Sequence, residues 1–272
     1  MTADAKRSGR SVIARPTILR RIRELHGTFP VVGLLGVRQV GKTTLARAYA
    51  GASTPASNRF DLEDARDLAR LDDPFRALEP LRGIVVLDEI QRRPDLFPAL
   101  RVLADRPRRP ARFLVLGSAS PALLRQGAES LAGRIAYVEL DGLSIDEVGA
   151  DAWERLWLRG GLPRSFLAKT DDASVLWREE LVRTYLEREL PELDIGIPPG
   201  TVRRFWTMLA HYHGQTWNGA ELARAFAVSE KTVARYRDVL CATFLARRLL
   251  PWHENLGKRE VKSPKVFLGD TG

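Results

Sequence analysis

The chain of 272 residues contains a single cysteine, Cys241. One thiol cannot build a disulfide framework within the chain, so the expectation is a reducing, cytoplasmic compartment. Long apolar runs are missing too. None approaches the roughly 18 residues of a membrane span, which predicts no membrane partner. The N-terminus has charges but no apolar run behind them, so it does not read as a secretory leader. No internal repeat and no low-complexity tract interrupts the sequence.

What is present is a globular composition. Hydrophobic residues make up 44%, which argues against a disordered chain and allows a sizeable core. The net charge is +9 and it is unevenly placed. Residues 1–25 hold seven Lys/Arg against Asp4 and Glu24, and residues 200–272 hold twelve against six acids. A basic tail and a basic C-terminal third thus flank a near-neutral middle. Such a field attracts polyanions such as DNA, although an Arg-rich solvated surface gives the same count.

Short apolar runs alternate with amphipathic stretches over the first half. Val31–Leu35, Phe60–Leu62, Ile84–Leu87, Phe113–Leu116 and Ile135–Leu140 read as strands. Ile18–Leu25, Lys42–Ala50, Leu96–Ala104 and Pro121–Leu131 read as helices. Short buried strands alternating with helices predict an α/β fold, a parallel sheet covered on both faces. Beyond Leu143 the strands stop. Asp151–Arg159, Ala173–Leu190 and Thr201–His213 then read as helices, separated by Gly160, Gly161 and Pro163 and by the run Gly196 to Gly200.

Gly36-Val37-Arg38-Gln39-Val40-Gly41-Lys42-Thr43 matches the phosphate-loop pattern and lies between an apolar strand and a helix. Glycines let the backbone curl so that successive N–H groups face phosphate oxygens, and the helix start adds its positive end. Gly36, Arg38, Gln39, Val40, Gly41, Lys42, Thr43 and Thr44 are therefore the candidate ATP-binding residues. Lys42 is placed to reach the β- and γ-phosphates and Thr43 to ligate Mg2+.

A second apolar run ends in Asp88-Glu89. Asp88 is the candidate to hold the metal opposite Thr43. Glu89 is either the general base that activates water or a plain surface acid. A third run ends in Gly117-Ser118, where Ser118 either senses the γ-phosphate or caps the following helix. Arg134, just before the last strand, is either an arginine finger reaching a neighbouring subunit or an ordinary flanking residue. Arg164 is a weaker candidate of the same kind.

In this order the motifs resemble a family of prokaryotic AAA+-like P-loop ATPases with a C-terminal region of unknown function. The stretches that carry the resemblance are Gly36 to Leu45, Leu87 to Gln91, Leu116 to Ser120, Ser130 to Arg134 and Lys262 to Val266. It extends over roughly residues 15–272. Val37 stands where the family usually has proline, a position that only shapes the loop. The resemblance implies a five-stranded sheet in which the strand ending at Ser118 lies between those ending at the loop and at Asp88. It implies the roles given above for Lys42, Thr43, Asp88, Glu89 and Ser118. Members continue past the position of Gly272 into a region similar to restriction-type nucleases, and no nuclease chemistry is carried over to these residues.

Glu221–Ala227 and Glu230–Phe244 form a helix, tight turn, helix pattern, with Ser229 as N-cap. Lys231, Arg235 and Arg237 lie on the second helix, where Thr232 and Tyr236 can add phosphate or base contacts. Leu249–Trp252 and Val261–Leu268 can pair around Asn255 to Lys258 as a basic wing. Together they predict a winged helix, which contacts DNA or packs against protein; Trp206, Trp217 and Trp252 read as core or interface. The expected organisation is a basic tail over residues 1–15 and an ATPase domain over 16–142. A helical lid region over 143–198 and a winged-helix module over 199–272 follow. The expected activity is Mg-ATP hydrolysis; the alternative is a nucleotide-gated DNA- or protein-binding module that hydrolyses little.

Overall fold

The computed structural model describes residues 12–108, 110–118, 127, 129–190, 197–251 and 263–270. It divides into two compact units, residues 1–153 and 154–272.

In the first unit, helix α1 (Pro16–Thr28) precedes strand β1 (Val31–Leu35), whose five residues are all buried. Burial on both faces is why this strand reads as a continuous apolar run rather than an alternation. Helix α2 (Lys42–Ala50) follows, then β2 (Arg59–Asp61), α3 (Ala65–Arg70), α4 (Pro74–Leu78) and β3 (Gly83–Asp88). Helix α5 (Leu96–Ala104), β4 (Ala111–Gly117), β5 (Ile135–Glu139) and α6 (Ile145–Val148) complete the unit. The strands form one parallel sheet in the order β2-β3-β4-β1-β5. The expected five-stranded sheet is present, with β4 between β1 and β3. Most of the helix expected at Pro121–Leu131 lies outside the described residues.

Two buried polar residues tie this unit together. His26 on α1 is 1% exposed. Its Nδ1 pairs with the Tyr49 hydroxyl at 2.7 Å and its Nε2 with the Phe113 carbonyl at 3.1 Å. Arg15, expected in the basic tail, is instead an anchor. It donates to Glu147 at 2.7 Å and to the carbonyls of Asp141 and Gly142, so it is not available to DNA. A buried guanidinium needs such partners. The remainder of the tail, residues 1–11, lies outside the described residues.

The second unit is mostly helical. Helix α7 starts at the boundary (Trp153–Arg159), followed by α8 (Pro163–Phe166) and α9 (Asp171–Thr184), which runs on through a π-helical turn at Tyr185–Glu189. Helix α9 begins two residues before the expected start because the Thr170 hydroxyl accepts from Ala173 N–H. Next come α10 (Pro199–His211), α11 (Gly219–Phe226) and α12 (Glu230–Ala242). Strands β6 (Ala246–Leu249) and β7 (Lys265–Leu268) pair antiparallel, and Thr216 bridges to Lys265. The first of these begins three residues earlier than expected. Phe244 takes a left-handed backbone (φ 62), which reverses the chain at once after α12. Trp252 and the centre of the expected wing lie outside the described residues.

Leu186 and Leu190 share one core with Val202, Phe205, Leu209, Trp217, Leu222, Val233 and Leu240. Phe205 is fully buried and meets Trp217, Phe226 and Tyr236 edge-on at 5.5–6.4 Å. Among the described residues no helix is long and apolar enough to cross a membrane.

Candidate functional site

The site lies within the first unit, at the C-terminal edge of its sheet. Strand pairing fixes which residues meet there. Leu35 pairs with Gly117, so Gly36 and Ser118 leave adjacent strands at the same level. Leu87 pairs with Val115 and Asp61 with Asp88, which brings the acidic end of β3 to the same edge. In open parallel sheets this edge is where ligands bind.

The loop from Gly36 to Gly41 takes the shape its glycines permit. A Cβ at Gly36 would sit 2.3 Å from the Leu140 carbonyl oxygen, so the close approach of the chain after β5 requires glycine. Gly41 has φ 100 and Gln39 φ 66, and α2 starts immediately after at Lys42. The Lys42 side chain is only 5% exposed. Its ammonium donates to the carbonyls of Gly36 at 2.9 Å and Val37 at 3.0 Å, at the centre of the loop.

The Thr43 hydroxyl donates to Asp88 Oδ2 at 2.7 Å. Two residues 45 positions apart thus put one neutral and one acidic oxygen in contact. Burial pushes the Asp88 carboxyl above the usual carboxylate range, and the charges of Glu89 and Asp61 push the same way, against the hydrogen bonds from Thr43 and from Glu89 N–H. Glu89 has a left-handed backbone (φ 57) and opens a single 3₁₀ turn, Ile90–Arg92. Its carboxylate accepts from the Gln91 side-chain amide. A non-glycine residue in that conformation carries strain of order 1 kcal/mol and is typical of functional turns. Ser118 Oγ is buried and has no hydrogen-bond partner.

This donor set fits a magnesium ion shared with phosphate. Mg2+ takes hard oxygens and is usually held by one or two carboxylates plus phosphate oxygens rather than by an all-protein cage. Among the described residues no group of three or more His, Cys, Asp or Glu could hold a metal alone. Lys42, Thr43, Asp88, Glu89 and Ser118 are all brought to one edge.

Arg134 is placed differently. It forms a two-pronged pair with Asp105 at 2.6 and 2.8 Å and donates to the Ala132 carbonyl. Arg164 belongs to the second unit, in α8. On α12, Lys231 and Arg235 are exposed one turn apart. Thr232 is engaged at the helix start, its hydroxyl 2.8 Å from that of Ser229. Two expected contacts need correction. The Tyr236 ring stacks edge-on against Phe205 at 5.5 Å, half-buried in the core. Arg237 is buried, its guanidinium 4.6 Å from the Trp217 ring centre and bonded to Asp238. Sequence periodicity alone does not separate these two from the exposed face, since they follow Arg235 by only one and two residues.

Comparison with known proteins follows this division. Residues 28–149 match a family described as an AAA domain, and residues 150–272 match a domain of unknown function. Uncharacterized proteins of Mycobacterium tuberculosis and Mycobacterium bovis are each 51% identical over 272 residues, which is all of this chain and 61% of theirs. The chain therefore spans about three fifths of the length of the curated relatives it matches. The Walker-type ATPase of Pyrococcus abyssi has a similar fold, with a TM-score of 0.64 at 17% identity over 96% of this chain and 94% of that one.

Proposed function

The chain belongs to the AAA-type P-loop ATPases that carry a C-terminal domain of unknown function, and from that premise we propose that it binds ATP with magnesium and hydrolyses it to ADP and phosphate. The observation that carries the reading is the 2.7 Å contact between Thr43 and Asp88 at the mouth of the loop. A loop that only held phosphate would not need a buried carboxylate beside it. That carboxylate is expensive to keep charged in isolation, and a cation offsets the cost.

Each residue then has a role. Lys42 and the loop N–H groups from Arg38 to Thr44 bind the phosphates. Thr43 and Asp88 would hold Mg2+, which would neutralise phosphate charge and stabilise ADP as the leaving group. Glu89 takes a proton from the attacking water. The partnerless Ser118 hydroxyl donates to a γ-phosphate oxygen. Steady-state turnover of Glu89→Gln tests this reading. Turnover falls by roughly 10²–10⁴-fold while ATP affinity is retained; unchanged turnover removes Glu89 as the base and with it the hydrolytic mechanism.

The second reading, a nucleotide-gated binding module with little hydrolysis, draws support from Arg134. Its pairing with Asp105 occupies the guanidinium within its own chain. A role as a finger for a neighbouring subunit requires exchanging Asp105 for phosphate. ATPase rate per subunit against protein concentration separates the two: a rise supports assembly through Arg134, a flat line the second reading.

In the second unit, two helices joined at Ala227–Ser229 and the β6–β7 pair support a winged helix over residues 199–272. The helices of 143–198 are the proposed lid. Lys231 and Arg235, with Thr232, are the proposed DNA contacts, joined by the basic residues of the N-terminal tail that precede Arg15.

A further inference from the structure

Glu63 stands two residues beyond β2, past the sheet edge where Asp61 pairs with Asp88. One of its oxygens, Oε1, serves two arginines. Arg92 Nη2 donates to it at 3.1 Å, and Arg38 Nη2 lies 3.6 Å from it. Arg92 closes the turn that begins at Glu89. Arg38 belongs to the phosphate loop itself. Two guanidiniums, one from the loop and one from the acidic turn, therefore converge on a single carboxylate beside the candidate phosphate site.

The two contacts differ in kind. At 3.1 Å the Arg92 contact is a hydrogen bond, whereas at 3.6 Å the contact between Arg38 and Glu63 is beyond hydrogen-bond range and is an ion pair only. All three side chains are partly exposed, at 30–47%. Ion pairs in such positions are weak and easily exchanged. The direction matters as well. From the loop, Arg38 reaches toward the ends of β2 and β3, the side on which Thr43 meets Asp88 and where a terminal phosphate would lie.

We propose that Arg38 binds the terminal phosphate of ATP and that Glu63 competes for it, so that the loop distinguishes ATP from ADP with a guanidinium supplied by its own chain. This rests on the ATP reading given above. A γ-phosphate offers several charged oxygens where Glu63 offers one that is already shared, so the exchange runs toward phosphate. The exchange leaves no charge stranded, because Glu63 keeps Arg92 when Arg38 leaves. With ADP there is no terminal group to win the exchange, and Arg38 stays with Glu63.

The test is equilibrium binding of the slowly hydrolysed analogue ATPγS and of ADP to the full chain and its variants. Arg38→Ala weakens ATPγS about tenfold or more and leaves ADP within about twofold. Glu63→Gln tightens ATPγS severalfold, with ADP again unmoved. Arg38→Lys keeps the charge but not the fork, and falls between wild type and alanine. The retained ADP affinity reports that each variant is folded. Equal loss of both nucleotides in Arg38→Ala, or loss of neither, overturns the contact with the terminal phosphate. Unchanged ATPγS affinity in Glu63→Gln overturns the competition. Failure of the ATP reading looks different: wild type binds neither nucleotide, or Lys42→Ala binds both as well as wild type does.

Discussion

The two units bury polar groups in different ways. In the second, Ser165 and Ser174 are fully buried, yet their hydroxyls bond each other at 2.7 Å and both accept from Arg178. Buried Thr243 donates to backbone carbonyls, and Arg237 lies over Trp217. Among the described residues, every buried side-chain polar atom without a partner lies in the first unit. Two of them, Ser118 Oγ and Gln91 Oε1, lie at the edge that carries Lys42 and Asp88. A satisfied buried polar group holds a fold together. An unsatisfied one beside convergent charges has bonding capacity left for a ligand.

That contrast is broken most forcefully by two substitutions made in parallel. Phe205→Ala empties the centre of the second core and should cost about 3–5 kcal/mol of that unit's stability. Nucleotide affinity of the first unit should stay near wild type. Lys42→Ala should do the converse. ATP and ADP affinity fall by about 10²-fold or more, and melting holds or rises because a buried charge is gone. Calorimetry with nucleotide titration reads both. Loss of nucleotide binding in Phe205→Ala would show that the two units do not divide structure and chemistry as argued.

A smaller effect sharpens the comparison through pH. Burial, opposed only in part by the Phe113 carbonyl, lowers the His26 pKa from 6.5 to about 4. Between those values the unfolded chain takes a proton that the folded chain refuses. The stability contribution is therefore full above pH 6.5 and is lost as pH falls toward 4, by about 3 kcal/mol in all. The first unit should melt progressively lower across that window, and His26→Gln should flatten the slope. The second unit, whose described histidines are not buried, should show no matching step. An acid slope unchanged in the variant would assign it to other groups.

His26 also marks what the sequence made legible. The loop, its strand and its helix were readable because their pattern is local: Gly41, Lys42 and Thr43 are neighbours, and α2 runs over the expected Lys42–Ala50. The sheet strands were readable because burial on both faces leaves unbroken apolar runs. The contacts of His26, Arg15 and Arg134 were not, because their partners lie 23 to 132 positions away. Nothing in the residues around Arg134 announces Asp105. Arg38 and Arg92 meet at Glu63 only because parallel pairing carries β2 and β3 to one edge. In the second unit helical spacing found the helices, but it could not tell which side of α12 faces Phe205. Spacing alone puts Tyr236 and Arg237 outward, whereas in the structure they pack against Phe205 and Trp217.

The same distinction sets the smallest expected effect. Lys231 and Arg235 are the basic residues of α12 that face solvent, one turn apart. If this face meets a DNA backbone, replacing both by alanine should weaken binding about tenfold at low salt. The plot of log affinity against log salt should also become shallower by about two. A fluorescence-anisotropy titration at several salt concentrations measures both quantities. Arg237→Ala is the informative contrast. Its guanidinium is buried over Trp217, so it should lower the melting temperature of the second unit without changing the salt slope. A slope that responds to Arg237 and not to Lys231 and Arg235 would place the nucleic-acid face elsewhere in the unit.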